Sequence, residues 1–457
     1  MEPREIVERA LAAPGGAGRI VIVTETSEAV LRWANSTMTT NGHSTARRVA
    51  VVALEAVGSG TAAGVVSSAA ELTGAADVDA LVAGARDAAR RAGPARDVAP
   101  LPEPDGDAPD WDEEAAATSV AVFDRVVGDL AHALDSPARH YGFATHALTT
   151  TWLGTSTGVR RRWVQPTGSV ELNVKTPDLA GSAWTGASTA DFADVDLAAL
   201  AADATARLGW ASRRVSLPPG RYETLLPPSA VADLLLMLAW SMDGRSAQEG
   251  RSALAGPDGP RVGERLTGRP LTLTSDPAAP GLEYAPFVTA LRSGEGVSVF
   301  DNGAATRRVD WVSDGAVHEL AYSRAEAAEF GAAFAPPGDN LLLTGGSAAG
   351  LAEMVAATRR GLLLTCLWYI REVDPATLLL TGLTRDGVYL VEDGEVVAEV
   401  DHNFRFNHSP LDVLRHATEV GATERTLPRE WKDWFTRVAM PPVRVPDFHM
   451  SSVSPAR

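Results

Sequence analysis

The stretch that decides the fold is residues 361–398, which read GLLLTCLWYIREVDPATLLLTGLTRDGVYLVEDGEVVA. Apolar runs of strand length alternate here with turn signals. An Asp374-Pro375 turn separates the first two runs, and the turn Thr384–Gly387 precedes the next one. Short strands joined by tight turns are typical of antiparallel sheets. This segment therefore predicts a sheet rather than a helical domain.

The same pattern continues on both sides of this segment. From Tyr222 onward the sequence consists mainly of short strand-like runs and turns, and an apolar helix interrupts it at Ala230–Met242. A second helix is expected at Ser347–Ala356. The helix at Ala230–Met242 is apolar on almost every side, which predicts burial in a core or an interface. We expect a C-terminal domain of curved, mainly antiparallel sheet around a buried helix. Its strands are expected at Leu271–Thr274, Val297–Phe300, Val309–Val312, Leu341–Thr344, Leu362–Trp368, Thr377–Leu380, Val388–Val391 and Val396–Val400.

The N-terminal half mixes helical and strand-like patterns. Residues 3–13 and 78–91 favour helices, whereas Arg19–Thr26 and Val49–Ala56 are β-branched runs that favour strands. The polar stretch Asn35–Thr45 between these runs favours a loop or a twisted hairpin. We predict the α+β class, with an N-terminal α/β region before the C-terminal sheet. The expected domains are an N-terminal α+β domain (1–112), a central α+β region (113–215) and a C-terminal β-rich domain (216–457).

Composition excludes several classes of function. The 457 residues are 45% hydrophobic and 22% charged, which is ordinary for a globular protein. The net charge of −17 repels phosphate, so nucleic-acid binding is not expected. The single cysteine, Cys366, lies in an apolar run and excludes an internal disulfide or a cysteine-rich metal site. The sequence shows no signal peptide and no apolar stretch of about 18 residues. We expect a cytoplasmic protein.

The nine histidines do not have the spacing of a known metal motif. No two of them are four or five residues apart. His318-Glu319 begins a His-Glu-x-x-His motif, but Tyr322 stands where the second ligand belongs. Asp401, His402 and His408 offer metal-binding groups, yet their spacing favours a polar turn beside the sheet. An enzyme with a site at these three residues is the least favoured hypothesis.

Ordered sequence pieces carry a resemblance to a known family. These pieces are Gly220–Ala230, Asp276-Pro277, Gly294–Asp301, Thr306–Arg308, residues 361–398, Phe404–Ser409 and Val443–Phe448. In this order they resemble the TldD/TldE (PmbA) family, which carried the older label "modulator of DNA gyrase". The resemblance implies a cytosolic two-subunit zinc metallopeptidase that cleaves unfolded or extended peptides in a shared chamber.

The resemblance also indicates which subunit this chain is. The zinc-bearing sister carries His-Glu-x-x-x-His on the helix before a loop that Gly250–Ala253 resembles, and this alignment puts Leu235, Leu236 and Trp240 at the three positions. None of these side chains has a lone pair for Zn²⁺ or can act as a general base. The sister's remaining ligand is a cysteine near the C-terminus, and no cysteine follows Cys366 here. The resemblance implies a TldE-like subunit without metal or catalytic residues, whose TldD-like partner supplies the zinc and the general base.

Four residues are candidate contacts for substrate or partner. Arg385 and Asp386 either orient a substrate backbone or neighbouring subunit, or pair with each other and hold their turn, which we favour. Asn407 and Ser409 carry a similar ambiguity. Trp240 either plugs the vestigial metal position or packs in the core, and we favour the core. The alternative to a partner subunit is a stand-alone homodimeric protein that binds peptides or serves as a scaffold.

Overall fold

A computed structural model describes residues 1–106 and 108–454. Its helices are α1 (Pro3–Ala12), α2 (Ala75–Ala92), α3 (Val127–Leu134), α4 (Leu197–Trp210), α5 (Pro228–Trp240), α6 (Gly244–Gln248), α7 (Arg324–Phe330), α8 (Leu351–Ala356) and α9 (Pro410–His416). Short 3₁₀ turns occur at Val120–Phe123 and Val299–Asp301. No helix in this part of the chain is long and apolar enough to cross a membrane.

The N-terminal half forms one antiparallel six-stranded sheet. Its strands are β1 (Gly18–Ala34), β2 (Thr37–Val57), β3 (Gly60–Ser68), β4 (Arg139–Thr155), β5 (Arg160–Lys175) and β6 (Ser182–Thr189), in the spatial order β3-β2-β1-β4-β5-β6. The polar stretch 35–45 lies in the β1–β2 hairpin, as the hairpin alternative predicted. The first domain boundary was predicted at residue 112. Strand β3 precedes that residue and β4 follows it, so this one sheet contains strands from both sides of the predicted boundary. The domain limits remain a prediction.

Both faces of this sheet are covered. Because side chains alternate along a strand, Val21 and Val23 pack with α1 and α2 on one face, while Ile20 and Ile22 point to the other. Ile20 and Ile22 share a cluster with Phe300 of the C-terminal half. Near the β6 end of the sheet, α3 and α4 complete a third cluster. Hydrophobic burial therefore joins the N-terminal sheet to the rest of the chain.

The C-terminal half contains one sheet of ten strands and one of six, besides a two-stranded hairpin. The ten-stranded sheet has the order β16-β17-β20-β24-β8-β15-β18-β19-β7, with β21 attached to β24. Its strands are β7 (Arg214–Val215), β8 (Gly220–Leu226), β15 (Arg360–Leu364), β16 (Leu367–Asp374), β17 (Leu379–Thr384), β18 (Val388–Glu392), β19 (Glu395–Val400), β20 (Asn403–His408), β21 (Glu419–Val420) and β24 (Val443–Ser454). Residues 361–398 thus supply five of these strands in whole or in part, as their alternation of runs and turns predicted.

The second C-terminal sheet has six strands in the order β13-β12-β11-β14-β23-β22. They are β11 (Thr272–Ser275), β12 (Val309–Ser313), β13 (Ala316–Val317), β14 (Leu341–Thr344), β22 (Glu424–Thr426) and β23 (Val438–Met440). A small hairpin pairs β9 (Ala255–Gly256) with β10 (Gly259–Pro260). Most pairs in both C-terminal sheets are antiparallel, with parallel exceptions such as β8–β15 and β14–β23. The predicted fold class is confirmed.

Helix α5 lies in the core between these two sheets. Pro228 stands at its first position, where no backbone N–H is needed, and Ser241 follows its last residue. The helix shares one hydrophobic cluster with strand residues such as Leu273 and Phe404. Fully burying a leucine contributes about 1.5–3 kcal/mol, so its four buried leucines make α5 a principal source of stability. The predicted burial of this helix is confirmed.

Candidate functional site

Helix α5 holds the three positions at which the family resemblance puts His, Glu and His. Leu235 and Leu236 are completely buried among apolar side chains. Trp240 is 44% exposed and packs edge to face on Trp431, with 4.9 Å between ring centroids and 75° between ring planes. The expectation that Trp240 packs in the core is wrong, because α5 ends at this residue and leaves the core there.

A buried carboxylate fixes the segment that crosses α5. Asp233, the only charged residue of the helix, is fully buried and accepts hydrogen bonds from the backbone N–H groups of Arg429 (3.2 Å) and Glu430 (2.9 Å). The indole of Trp431 donates to the carbonyl oxygen of Asp233 at 2.9 Å. Burial raises the pKa of the Asp233 carboxyl well above its usual value. These bonds fasten residues Pro428–Phe435, which we name the 428–435 segment, to α5.

The 428–435 segment also contacts the edge strand β16. One carboxylate oxygen of Glu430 accepts from the backbone N–H of Tyr369 at 3.0 Å, and the other accepts from Ile370 at 3.1 Å. The guanidinium of Arg371 adds a third bond at 3.2 Å. Tyr369 has a φ of +57° and is 60% exposed. Glu430 therefore occupies a small site made of two successive N–H groups and one cation.

Cation–π contacts run from the 428–435 segment in two directions. The guanidinium carbon of Arg429 lies 5.3 Å from the ring centroid of Trp184 in β6 and 4.6 Å from that of Trp368 in β16. On the same Trp368 ring, Arg385 lies at 5.6 Å. Each such contact contributes about 0.5–2 kcal/mol. Indole rings and guanidinium groups thus alternate from the N-terminal sheet through the 428–435 segment to the turn that precedes β18.

The turn that contains Arg385 and Asp386 lines a cavity of about 230 Å³. Asp386, with a φ of +49°, accepts a hydrogen bond from the hydroxyl of Ser182 in β6 at 2.6 Å. Its contact with Arg385 is longer, at 3.9 Å. Ser182 therefore holds the turn more closely than the predicted Arg385–Asp386 pair does. Asp401 and His402 line the same cavity, and they bond to each other at 2.7 Å.

Asn407 and Ser409 lie near the other end of β17, away from Arg385 and Asp386. Asn407 stands opposite Thr381 in the β17–β20 ladder. Ser409 is the N-cap of α9, where its hydroxyl accepts from the N–H of Leu411 at 3.3 Å and donates to the carbonyl of Thr377 at 3.0 Å. The contacts of Ser409 explain it as a helix cap. Its predicted role in substrate or partner contact, like that of Asn407, remains untested.

His408 is also part of the interior. Its ring stacks on Phe448 with 4.6 Å between centroids, and burial lowers its pKa to about 4. The neutral ring is therefore the stable form inside the protein at neutral pH.

The residues around α5 do not fit a zinc ion. Leu235 and Leu236 provide no donor atom, and the carboxylate of Asp233 already binds two backbone N–H groups. Burial raises the pKa of Cys366, which disfavours the thiolate that binds metals. Within residues 1–106 and 108–454, no three side chains of His, Cys, Asp or Glu come together as a metal site requires.

Comparison with known proteins identifies the family. The sequence profile of the PmbA/TldA metallopeptidase C-terminal domain matches residues 219–452, just over half of the chain. The chain belongs to the TldD/TldE/PmbA family. The resemblance predicted from the sequence is thus confirmed. The matched region includes α5, the Arg385–Asp386 turn and the 428–435 segment, whereas their contacts Ser182 and Trp184 lie outside it, in the N-terminal sheet.

Solved structures extend the likeness to the whole chain. TldE from Thermococcus kodakarensis has a TM-score of 0.74 at 16% identity, over 95% of this chain and 96% of that one. A protein from Thermotoga maritima, described as a candidate modulator of a DNA gyrase, has 0.72 at 16% identity, over 94% and 95%. Another of that description from Bacteroides thetaiotaomicron has 0.76 at 14%, over 98% of both chains. Identities this low support the fold alone. Comparison with curated protein sequences gives no match.

Sequence reasoning found α5 but missed its polar anchor. A single carboxylate inside an otherwise apolar helix is a signal that can be read from the sequence, because a buried charge requires partners. Asp233 gives that signal, and its partners lie 196 and 197 residues further along the chain. The density of Arg, Glu, Trp and Lys in Pro428–Phe435 is a second signal. In this TldD/TldE/PmbA protein the polar contacts around α5 therefore come mainly from the 428–435 segment, with Asp233 as their acceptor on the helix.

Proposed function

We propose that this chain is a non-catalytic, TldE-like subunit of a cytosolic zinc metallopeptidase complex that cleaves unfolded or extended peptides. A TldD-like partner supplies the zinc and the general base. The supporting observation is that α5 presents Leu235 and Leu236, both fully buried, at the positions where the resemblance puts His and Glu. A hydrocarbon side chain cannot bind Zn²⁺ or take a proton from water. The chemistry of the complex therefore belongs to the other chain.

The proposed contribution of this chain is a wall of the chamber and control of substrate access. An extended peptide can add to the edge of a sheet through main-chain hydrogen bonds, which do not depend on its sequence. Strand β16 lies at one end of the ten-stranded sheet, and the exposed ring of Tyr369 lies on it. The edge of this sheet is suited to guiding unfolded chains.

The test is reconstitution with a family member that carries His-Glu-x-x-x-His. We expect cleavage of a reduced, unfolded protein such as casein from the mixture and little from either chain alone. Metal analysis should find zinc in the partner only. Replacing the motif Glu of the partner by Gln should abolish activity, whereas Leu236→Met in this chain should preserve it. A partner that is fully active alone, or stoichiometric zinc in this chain, would contradict the proposal.

A second candidate is a stand-alone homodimer that binds peptides or serves as a scaffold. The observation that favours it is the outer edge of β2: residues 37–48 pair with β1, but β3 pairs only from Val49 onward. Among the residues that the structure describes, no strand covers this edge. Such an edge can pair with a second copy. A dimeric mass in solution, together with peptide binding that a partner does not improve, would favour this candidate; a monomer without peptide affinity would rule it out.

A further inference from the structure

Strand β16 contains a binding site for a carboxylate, and the chain fills this site with its own Glu430. The register between β16 and β17 shifts between Trp368 and Arg371, so this bulge leaves the N–H groups of Tyr369 and Ile370 outside the ladder. Both N–H groups point at the Glu430 carboxylate, one to each oxygen, at 3.0 and 3.1 Å. The Arg371 guanidinium adds a charge-assisted bond at 3.2 Å. Successive N–H groups arranged in this way form a concave anion site.

The backbone at this site is held in an uncommon conformation. Tyr369 is left-handed, which costs a residue other than glycine about 1–2 kcal/mol. Strain of this size persists only where the surroundings fix it, and it is concentrated at binding sites. Glu430, whose side chain is 7% exposed, has its own N–H anchored on Asp233 at 2.9 Å. Asp233 therefore holds the backbone at Glu430, and we expect the Glu430 side chain to leave the site by a change of rotamer.

Exposed aromatic residues lie on the two elements that form this carboxylate site and at the adjacent end of α5. Tyr369 is 60% exposed, Trp434 is 79% exposed and Trp240 is 44% exposed. The N–H of Trp434 bonds to the carbonyl of Trp431, whose ring touches Trp240. A cavity of about 450 Å³ opens beside Trp240. Rings of this kind provide apolar contact area for side chains that approach a fixed polar anchor.

We propose that the N–H groups of Tyr369 and Ile370, together with Arg371, bind the C-terminal carboxylate of an extended peptide, and that Glu430 is the internal competitor for this site. The two N–H groups and the guanidinium complement a carboxylate, which accepts hydrogen bonds on both oxygens. When the C-terminal residue of a peptide binds at edge strand β16, the residues before it can lie against the aromatic rings. The assignment of this peptide to a substrate or product of the complex rests on the proposed function, whereas the binding itself does not.

The test uses the full chain without a partner. The probes are acetyl-Ala-Ala-Ala-Phe with a free C-terminus and the same peptide as its C-terminal amide. Because Glu430 is held beside the site and competes at a high effective concentration, Glu430→Ala should bind the free acid at least about tenfold more tightly than wild type does. The variant should also prefer the acid over the amide by about tenfold. Adding Arg371→Ala to Glu430→Ala should remove most of this preference. Glu430→Gln is the matched control, because its amide oxygen still occupies one N–H group.

Titration calorimetry gives the affinities, and circular dichroism shows whether each variant is folded. A folded Glu430→Ala variant that binds acid and amide equally, or binds neither, overturns the proposal. Binding of an internal Glu in an amidated peptide would assign the site to acidic side chains and also overturn it. If Glu430→Ala does not fold, amide signals of Tyr369 and Ile370 in wild type decide the question, since only the free acid should shift them. A partner that is active alone would defeat the proposed function without affecting these results.

Discussion

Helix α5 and the 428–435 segment lie against each other and differ in almost every physical respect. The helix is mainly apolar and buried, with Asp233 as its one charged residue, whereas the segment is rich in charged and aromatic residues and carries the 79% exposed Trp434. The helix holds the three positions to which the resemblance assigns chemistry; Leu235 and Leu236 pack in the core, and Trp240 is exposed where the helix ends. The segment holds the carboxylate, guanidinium and indole groups that bind other parts of the chain. The difference indicates that stability and recognition occupy adjacent but separate elements.

The largest effect on stability is expected from a charge placed in α5. Leu236→Glu restores the acidic group that the resemblance puts there in the zinc-bearing sister, but it buries a carboxylate where Leu236 has no exposed surface. We expect a loss of about 5 kcal/mol or more, enough to unfold most domains, because a buried unpaired charge is among the costliest substitutions. Chemical denaturation followed by circular dichroism measures the loss. The volume-conserving control Leu236→Met should cost less than about 1.5 kcal/mol. A stable Leu236→Glu protein that binds zinc would show that α5 retains a metal site.

The bond between the two elements is the next point to test. Asp233→Ala leaves the N–H groups of Arg429 and Glu430 without their acceptor. Each unsatisfied buried donor costs about 1–3 kcal/mol, so we expect a loss of about 4 kcal/mol in the free energy of unfolding. Asp233→Asn keeps one acceptor oxygen and should lose about half as much. Faster hydrogen exchange across residues 428–435 should accompany the loss. Equal stability of all three proteins would mean that the segment is held by other contacts.

The buried side of the C-terminal domain also predicts a pH dependence. Burial lowers the pKa of His408 to about 4, below the usual value of about 6.5. The unfolded chain therefore binds a proton more readily than the folded chain does, and folding stability falls as the pH falls from about 6.5 to 4. The expected loss is about 3 kcal/mol, at 1.36 kcal/mol for each unit of pKa. His408→Phe keeps a ring against Phe448 and should remove this part of the dependence. An unchanged pH profile in that variant would exclude His408 as its source.

The sequence contained enough to predict the buried element but not the exposed one. Apolar periodicity identifies α5, and the alternation of runs and turns in 361–398 identifies the strands, because both patterns are local. The bonds from Asp233 join residues nearly 200 positions apart, and no local pattern predicts such a pairing. Tyr369 has a left-handed φ, and because it is not a glycine, its residue type does not indicate this conformation. The exposure of Trp240 depends on where α5 leaves the core, and element ends are the least predictable feature of a sequence.

The smallest expected effect lies at the boundary between the two elements. Trp240 and Trp431 touch edge to face at 4.9 Å, one from the end of α5 and the other from the 428–435 segment. An aromatic pair of this geometry contributes about 0.5–1.5 kcal/mol beyond its burial. Because Trp240 is 44% exposed, we expect Trp240→Ala to cost about 1 kcal/mol, far less than Leu236→Glu. A double-mutant cycle with Trp431→Ala isolates the coupling, and Trp240→Phe is the matched control because it retains a ring. A coupling near zero would mean that Asp233 alone joins the segment to the helix. A coupling of about 1 kcal/mol would show that the Trp240–Trp431 pair also stabilises the contact between the helix and the segment.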